Sequence, residues 1–185
     1  MAVDQEFLDQ LVPLLESEVQ PSLNLDRVRL WVEALESGNY QQGKQRLCRI
    51  EEDGSQKVCC LEVANLLAAA DGVPMEPRVV VCCHPLTFHN PTAIHAPFQE
   101  RVYMWNGSSD ADEVNRSVMN AATARWLGFD SQNPVVARWR QLLDSDHGQI
   151  GVTAMNANDS MDWSFEQIAA AVRFSYLGEK AANPS

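Results

Sequence analysis

The sequence predicts an α+β fold in a single domain: a β-hairpin and a small, mostly antiparallel sheet packed with about five or six helices. Three observations carry that expectation. Val28, Trp31, Val32 and Leu35 recur at the spacing of one helical face. Asp53-Gly54 stands between two short runs, Leu47–Glu51 and Gln56–Leu61, the second leading straight into an apolar helix. Ser164-Phe-Glu-Gln167 has the Ser-x-x-Gln form of a capping box, in which two side chains satisfy otherwise orphaned backbone donors.

Taken in order, Asp4–Gln20 places Phe7, Leu8, Leu11, Val12, Leu14 and Leu15 at helical spacing, with a kink or break at Pro13 and an end at Pro21. Residues 1–22 are therefore expected as an N-terminal helical extension, 23–178 as the α+β domain and 179–185 as a flexible tail. The Val28 stripe predicts a helix capped by Asn24 or Asp26 and closed by Gly38. Asp53-Gly54 suits a type I′ turn, and the helix Leu61–Ala70 is apolar on most sides, with Gly72 as its stop. Arg78–Cys83 is expected as a buried strand, His84–Glu100 with its prolines as a long loop, and Arg101–Trp105 as a further strand. Ser109 or Asp110 is expected to cap a helix reaching Leu127, with Val114, Val118, Ala121, Ala122 and Trp126 on one side and Gly128 as its stop. Pro134 suits the first position of a helix to about Leu143. Asp144–Gly151 is polar and loop-like; the helix capped by Ser164 runs from Phe165 through Ile168, Ala169 and Val172 to Gly178.

Composition narrows the function classes. The 185 residues are 45% hydrophobic and 21% charged, which suits a folded globular chain. A net charge of −11 repels phosphate backbones, so general nucleic-acid binding is not expected. No apolar run approaches a membrane span, and Met1–Glu6 carries two acids and no basic run. The expected place is the cytoplasm, away from membranes. The five cysteines are Cys48, Cys59, Cys60, Cys82 and Cys83; adjacent cysteines bridge poorly, so reduced thiols are expected.

Several residues are candidates for chemistry or binding. Cys59 and Cys60 fall where a strand hands over to a helix, whose positive end lowers a thiol pKa. With His84, His89, His95 or His147 as base, either would serve as a nucleophile; equally, both suit packing at a crowded helix start. Cys82, His84, His89 and His95 offer metal-ligand types, but adjacent strand residues point to opposite faces and cannot converge on one ion, so no metal is expected. Tyr40, Gln41 and Gln42 lie in a turn bounded by Gly38 and Gly43, a setting that presents hydrogen-bonding groups to a ligand or partner. Asn158 and Asp159 either organise a turn or bind, and Trp163 is the one tryptophan placed to be exposed beside a helix cap. No phosphate loop or HExxH motif occurs, and no cofactor is expected.

The order of these signals resembles a widespread set of uncharacterised proteins encoded by tailed phages and prophages. The residues that carry the likeness are Trp31, Gly38-Asn-Tyr-Gln-Gln-Gly43, Cys59-Cys-Leu-Glu-Val63, Trp126-Leu-Gly-Phe129, Asn158-Asp159, and Ser164-Phe165 with Ile168-Ala169. Glu62 stands where that set usually has glycine, and Asn65 where a third cysteine is common. The residues before Leu25 and the segment Cys82–Pro97 look like additions. The resemblance implies a small phage accessory protein, in the host-cell cytoplasm. The expected function is binding, of a protein partner or a small signalling molecule, in antagonism of a host defence component. The alternatives are a cysteine-dependent hydrolase or transferase using Cys59 or Cys60, and a nucleotide-binding sponge. A homodimer is left open.

Overall fold

The computed structural model describes residues 6–7, 11–12, 22–75, 77–82, 98–104, 114–115, 117–139 and 150–179. It is an α+β fold, with two sheets and five α-helices among those residues.

Helix α1, Leu25–Glu36, forms as the apolar stripe requires: Val28, Trp31, Val32 and Leu35 are its buried residues, and the Asn24 side chain accepts from the Arg27 N–H at its start. It packs against the helices Cys60–Ala70, Ala121–Leu127 and Phe165–Val172 and against the C-terminal turn, and so holds the middle of the core. The short strand β2, Gln41–Gln42, then runs parallel to β4, Gln56–Val58; β3, Cys48–Ile50, pairs antiparallel with β4. The turn between β3 and β4 is not type I′, because only Gly54 has a positive φ, of 81°. The Gly54 N–H donates to Glu51 and the Glu51 N–H to Ser55, which is a type I turn closed by a glycine bulge. Asp53 keeps negative φ by accepting from the Ser55 N–H, so the second left-handed residue is not needed.

Helix α2, Cys60–Ala70, follows at once and is buried from Cys60 to Asn65. Strand β5, Pro77–Cys82, pairs among the described residues with β6 alone, Phe98–Met104, and ends the order β2-β4-β3-β6-β5. It is an edge strand, not the buried strand its β-branched run suggested: Val79 and Val81 are 56% and 64% exposed. Phe98–Glu100, expected as loop, belong to β6; residues 83–97 lie outside the described ones.

Two helices of the sequence reading are corrected. Val114–Asn115 form strand β7 on β6, and helix α3 begins only at Ala121, capped by Asn120 and not by Ser109 or Asp110. Asn120 ends the extended stretch because its side chain accepts from the Ala122 N–H while its own N–H donates to Asn65. After Pro134 the chain forms strand β8, Val135–Trp139, where a helix was expected. A proline without an N–H is as acceptable just before a strand as in a first helical turn, and β-branched Val135 and Val136 favour the strand.

Strand β8 lies between β1, Leu11–Val12, and β9, Ile150–Thr153, in a second, antiparallel sheet. The N-terminal helix is thus corrected at Leu11 and Val12: Pro13 disfavours a helical residue before it, and Leu11 gains burial by pairing with Trp139. Ile150 and Gly151 likewise leave the expected loop for β9. Helix α4, Ala154–Asp159, was not foreseen. Helix α5, Phe165–Val172, has the full capping box and continues into a π-helical turn, Arg173–Leu177, that Gly178 closes with φ 63°. Glu179, expected to fray, is held by Arg173 and Arg29.

Candidate functional site

The chain order separates Gln42 from Asn158 by more than a hundred positions, yet the fold joins them. Gly43 brings its strand close to β4: its N–H donates to the Val58 carbonyl at 2.7 Å, and a β-carbon there would meet Lys57 atoms at 3.0 Å. This seats Gln42 against the α4–α5 connection. Its Nε2 donates to Asn158 Oδ1 at 3.0 Å and to the Trp163 carbonyl at 2.8 Å, while its Oε1 accepts from the Phe165 N–H at 3.1 Å. Fully buried Asn158 donates to the Gly43 carbonyl at 2.9 Å and to Asp159 Oδ1 at 2.7 Å, and that same oxygen accepts from the Gln45 N–H. Lys44 pairs with Asp162 at the rim.

The arrangement consumes most of the polar groups that the sequence offered for binding. Gln42 supplies a strand-to-helix strut that satisfies an otherwise open donor at the start of α5. Asn158 and Asp159 end a helix instead of making a loop turn. Trp163 is buried at 5% exposure, its ring set edge-on to Phe7 at 4.8 Å, so it offers no stacking surface. Tyr40 is half-buried against the core, and Gln41 alone of this set points outward to solvent.

Cys59 and Cys60 follow β4 directly, at the start of α2. Cys59 occupies the N-cap of α2 without a side-chain capping bond, and Cys60 Sγ donates to the Ala154 carbonyl at 3.5 Å. The Cys60 carbonyl in turn accepts from the Trp31 indole at 2.9 Å. Burial pushes the Cys59 thiol up to about 12 and the Cys60 thiol well above its ordinary value. The positive end of α2 does not overcome desolvation here. The histidines considered as bases, His84, His89, His95 and His147, lie outside the described residues, as does the side chain of Cys82. Among the described residues no three His, Cys, Asp or Glu side chains gather as metal ligands.

A second polar cluster escaped the sequence reading. Glu62, fully buried on α2, accepts from Arg101 Nη1 and Tyr103 Oη, each at 2.9 Å, and from Asn65 Nδ2 at 3.0 Å. Arg101 Nη2 reaches Gln56 Oε1 at 3.0 Å, and Asn65 Oδ1 accepts from the Asn120 N–H at 2.9 Å. Burial lifts the Glu62 carboxyl above its ordinary range, against the pull of its three donors. The same carboxylate keeps Arg101 charged and raises the Tyr103 hydroxyl beyond what burial does. The cluster ties α2 to β6, β4 and the start of α3. Its one sequence signal was that Arg101 and Tyr103, two apart on a strand, must share a face.

Comparison with family models, with curated proteins and with solved structures finds no match for this chain.

Proposed function

We propose that the chain is a non-enzymatic binding protein of phage accessory type, acting in the host cytoplasm on a protein or small signalling molecule of a host defence. The observation that carries the non-enzymatic part is the burial of Cys59 and Cys60, at 5% and 0% exposure, with both thiols held protonated. A nucleophilic cysteine needs an accessible thiolate near neutral pH, and these side chains have neither property. The order of sequence motifs supports the phage setting. The strong negative charge favours a basic partner surface.

A nucleotide sponge requires an aromatic platform beside a free cation. Among the described residues the pair closest to that description, Arg27 at 5.0 Å from the Trp126 ring, is spent inside the fold: Trp126 is 6% exposed and both side chains bind Asp71. The binding reading is therefore preferred.

Alkylation of the native protein at neutral pH, followed by peptide mass spectrometry, tests the choice. Cys59 and Cys60 are expected to react far more slowly than free cysteine. Rapid modification of either one would restore the enzyme reading. In parallel, the tagged protein is incubated with host lysate and with a panel of linear and cyclic nucleotides. A reproducible protein partner, or a ligand-dependent rise in melting temperature, is expected; the absence of both would sink the proposal.

A further inference from the structure

The three side chains bonded to the Glu62 carboxylate all act as donors. Oε1 accepts from Arg101 Nη1 and Tyr103 Oη, each at 2.9 Å, and Oε2 accepts from Asn65 Nδ2 at 3.0 Å. Arg101 has no acceptor to offer. The Asn65 amide is held in its orientation, because Oδ1 accepts from the Asn120 N–H at 2.9 Å. The set therefore fits a carboxylate and does not fit a carboxylic acid. A proton goes to Oε2, the oxygen with one partner instead of two, and there it points at the hydrogens of Asn65 Nδ2.

We infer that Glu62 is an acid-operated latch: a proton on its carboxyl breaks the bond to Asn65, loosens the start of α3 that Asn65 holds, and leaves Arg101 as an unpaired cation on the exposed part of the sheet. Asn65 is the relay. It holds the Asn120 N–H, and the Asn120 side chain in turn caps the Ala122 N–H, so displacing Asn65 disturbs the first turn of α3. Arg101 is placed to respond as well. Its side chain is 17% exposed, its Nη2 reaches exposed Gln56, and its register partner Val79 stands in solvent. The guanidinium thus exchanges its lost ion pair for water. The fully buried carboxyl has no such exchange, and burial raises its affinity for the proton.

The other titratable groups around the carboxyl keep their charge in the acid range. Tyr103 on β6 and Cys48 on β3 are both pushed above their ordinary values of 10.0 and 9.0, so they stay protonated. Of the further elements packed on α2, β4 brings Gln56, α1 the Trp31 indole and α3 the Asn120 N–H, none of which titrates. Arg27 of α1 binds Asp71, beyond the far end of α2. Asp159 of α4 acts on Cys59 and Cys60, at its first turn.

Carbon-detected NMR of the full chain, titrated from neutral pH down to 4.5, the ordinary value of a glutamate, reads the latch directly. The Glu62 carboxyl is expected to be more than half protonated at the lower end. The Asn120 amide and the Arg101 side-chain Nε are expected to shift with the same midpoint. In Glu62→Gln, which is neutral at every pH, both signals should stay near the acid end of the native titration. The folded chain binds this proton more tightly than the unfolded one, so stability falls as pH rises through the folded value, and Glu62→Gln should remove that fall in urea unfolding. A Glu62 less than half protonated at pH 4.5 overturns the inference. So does a Glu62 that titrates while Asn120 and Arg101 stay unmoved. Both of these readings come from the native chain and need no variant.

Discussion

Replacing Gly128 with alanine measures how closely the approach to α1 is seated on the end of α3. Gly128 has φ 87°, a conformation that costs an alanine about 1–2 kcal/mol. A β-carbon there would also stand 2.1 Å from the Ser22 carbonyl oxygen and 2.6 Å from Leu23 Cα. These are backbone atoms, so no side-chain rotation relieves the clash and the 22–24 segment must move away. That movement breaks the bond from the Asn24 N–H to the Leu127 carbonyl, 2.9 Å, and the bond from Ser22 Oγ to the Gly128 carbonyl, 3.0 Å. Two such bonds contribute about 1–3 kcal/mol, which brings the expected loss to about 2–5 kcal/mol. Gly72→Ala is the control: φ is 84°, but nothing lies within 4 Å of the added carbon, so only the conformational cost of about 1–2 kcal/mol applies. Urea unfolding of both variants at one pH gives the comparison. Equal stabilities, within about 0.5 kcal/mol, would refute the close-seating argument.

The polar junction and the buried Cys59 thiol give three further predictions. Gln42→Ala deletes the strut to Asn158, Trp163 and Phe165 and is expected to cost about 2–4 kcal/mol in urea unfolding. Gln42→Glu sets a carboxylate against two acceptor oxygens, so it should be most harmful above the carboxyl pKa and partly relieved by acid; a pH-independent loss would show that the donor role is misassigned. Cys59 has an ordinary value of 9.0 and is held up to about 12 in the fold, so the unfolded chain loses that proton first as pH rises. Its contribution to stability is complete below about 9 and declines toward about 12, by up to about 1.4 kcal/mol per pH unit. Cys59→Ala should flatten the alkaline fall in unfolding free energy, and an unchanged slope would contradict the burial.

Local signals proved legible and long-range ones did not. The α1 stripe and the Ser164 capping box depend on residues within one or two turns, and each formed as spelled. So did the glycine stops at Gly72, Gly128 and Gly178, where left-handed φ marks the end of a helix. The stretch before α3 and the residues after Pro134 carried mixed signals, and partners elsewhere decided them: β7 exists because β6 offers an edge, and β8 because β1 and β9 flank it. The same distinction runs through the site. Gln42, Asn158 and Asp159 were expected to bind a ligand or partner, and only the fold shows that they bond to one another. The Glu62 cluster went unread because two of its three donors lie about forty positions away on β6.

The Gln42 strut also sets a timetable for folding. Its partners lie 116 to 123 positions further along the chain. During synthesis the first sheet is therefore left without its closing contact until the ribosome has released the start of α5. Until then Asn158 is not present to occupy the Gly43 carbonyl, and Ala154 is not present to receive the Cys60 thiol. High contact order of this kind slows folding and makes it depend on the last third of the chain. A product cut short before Phe165 thus loses the closure of its N-terminal sheet along with its C-terminal helix, which makes the chain all-or-nothing with respect to its length.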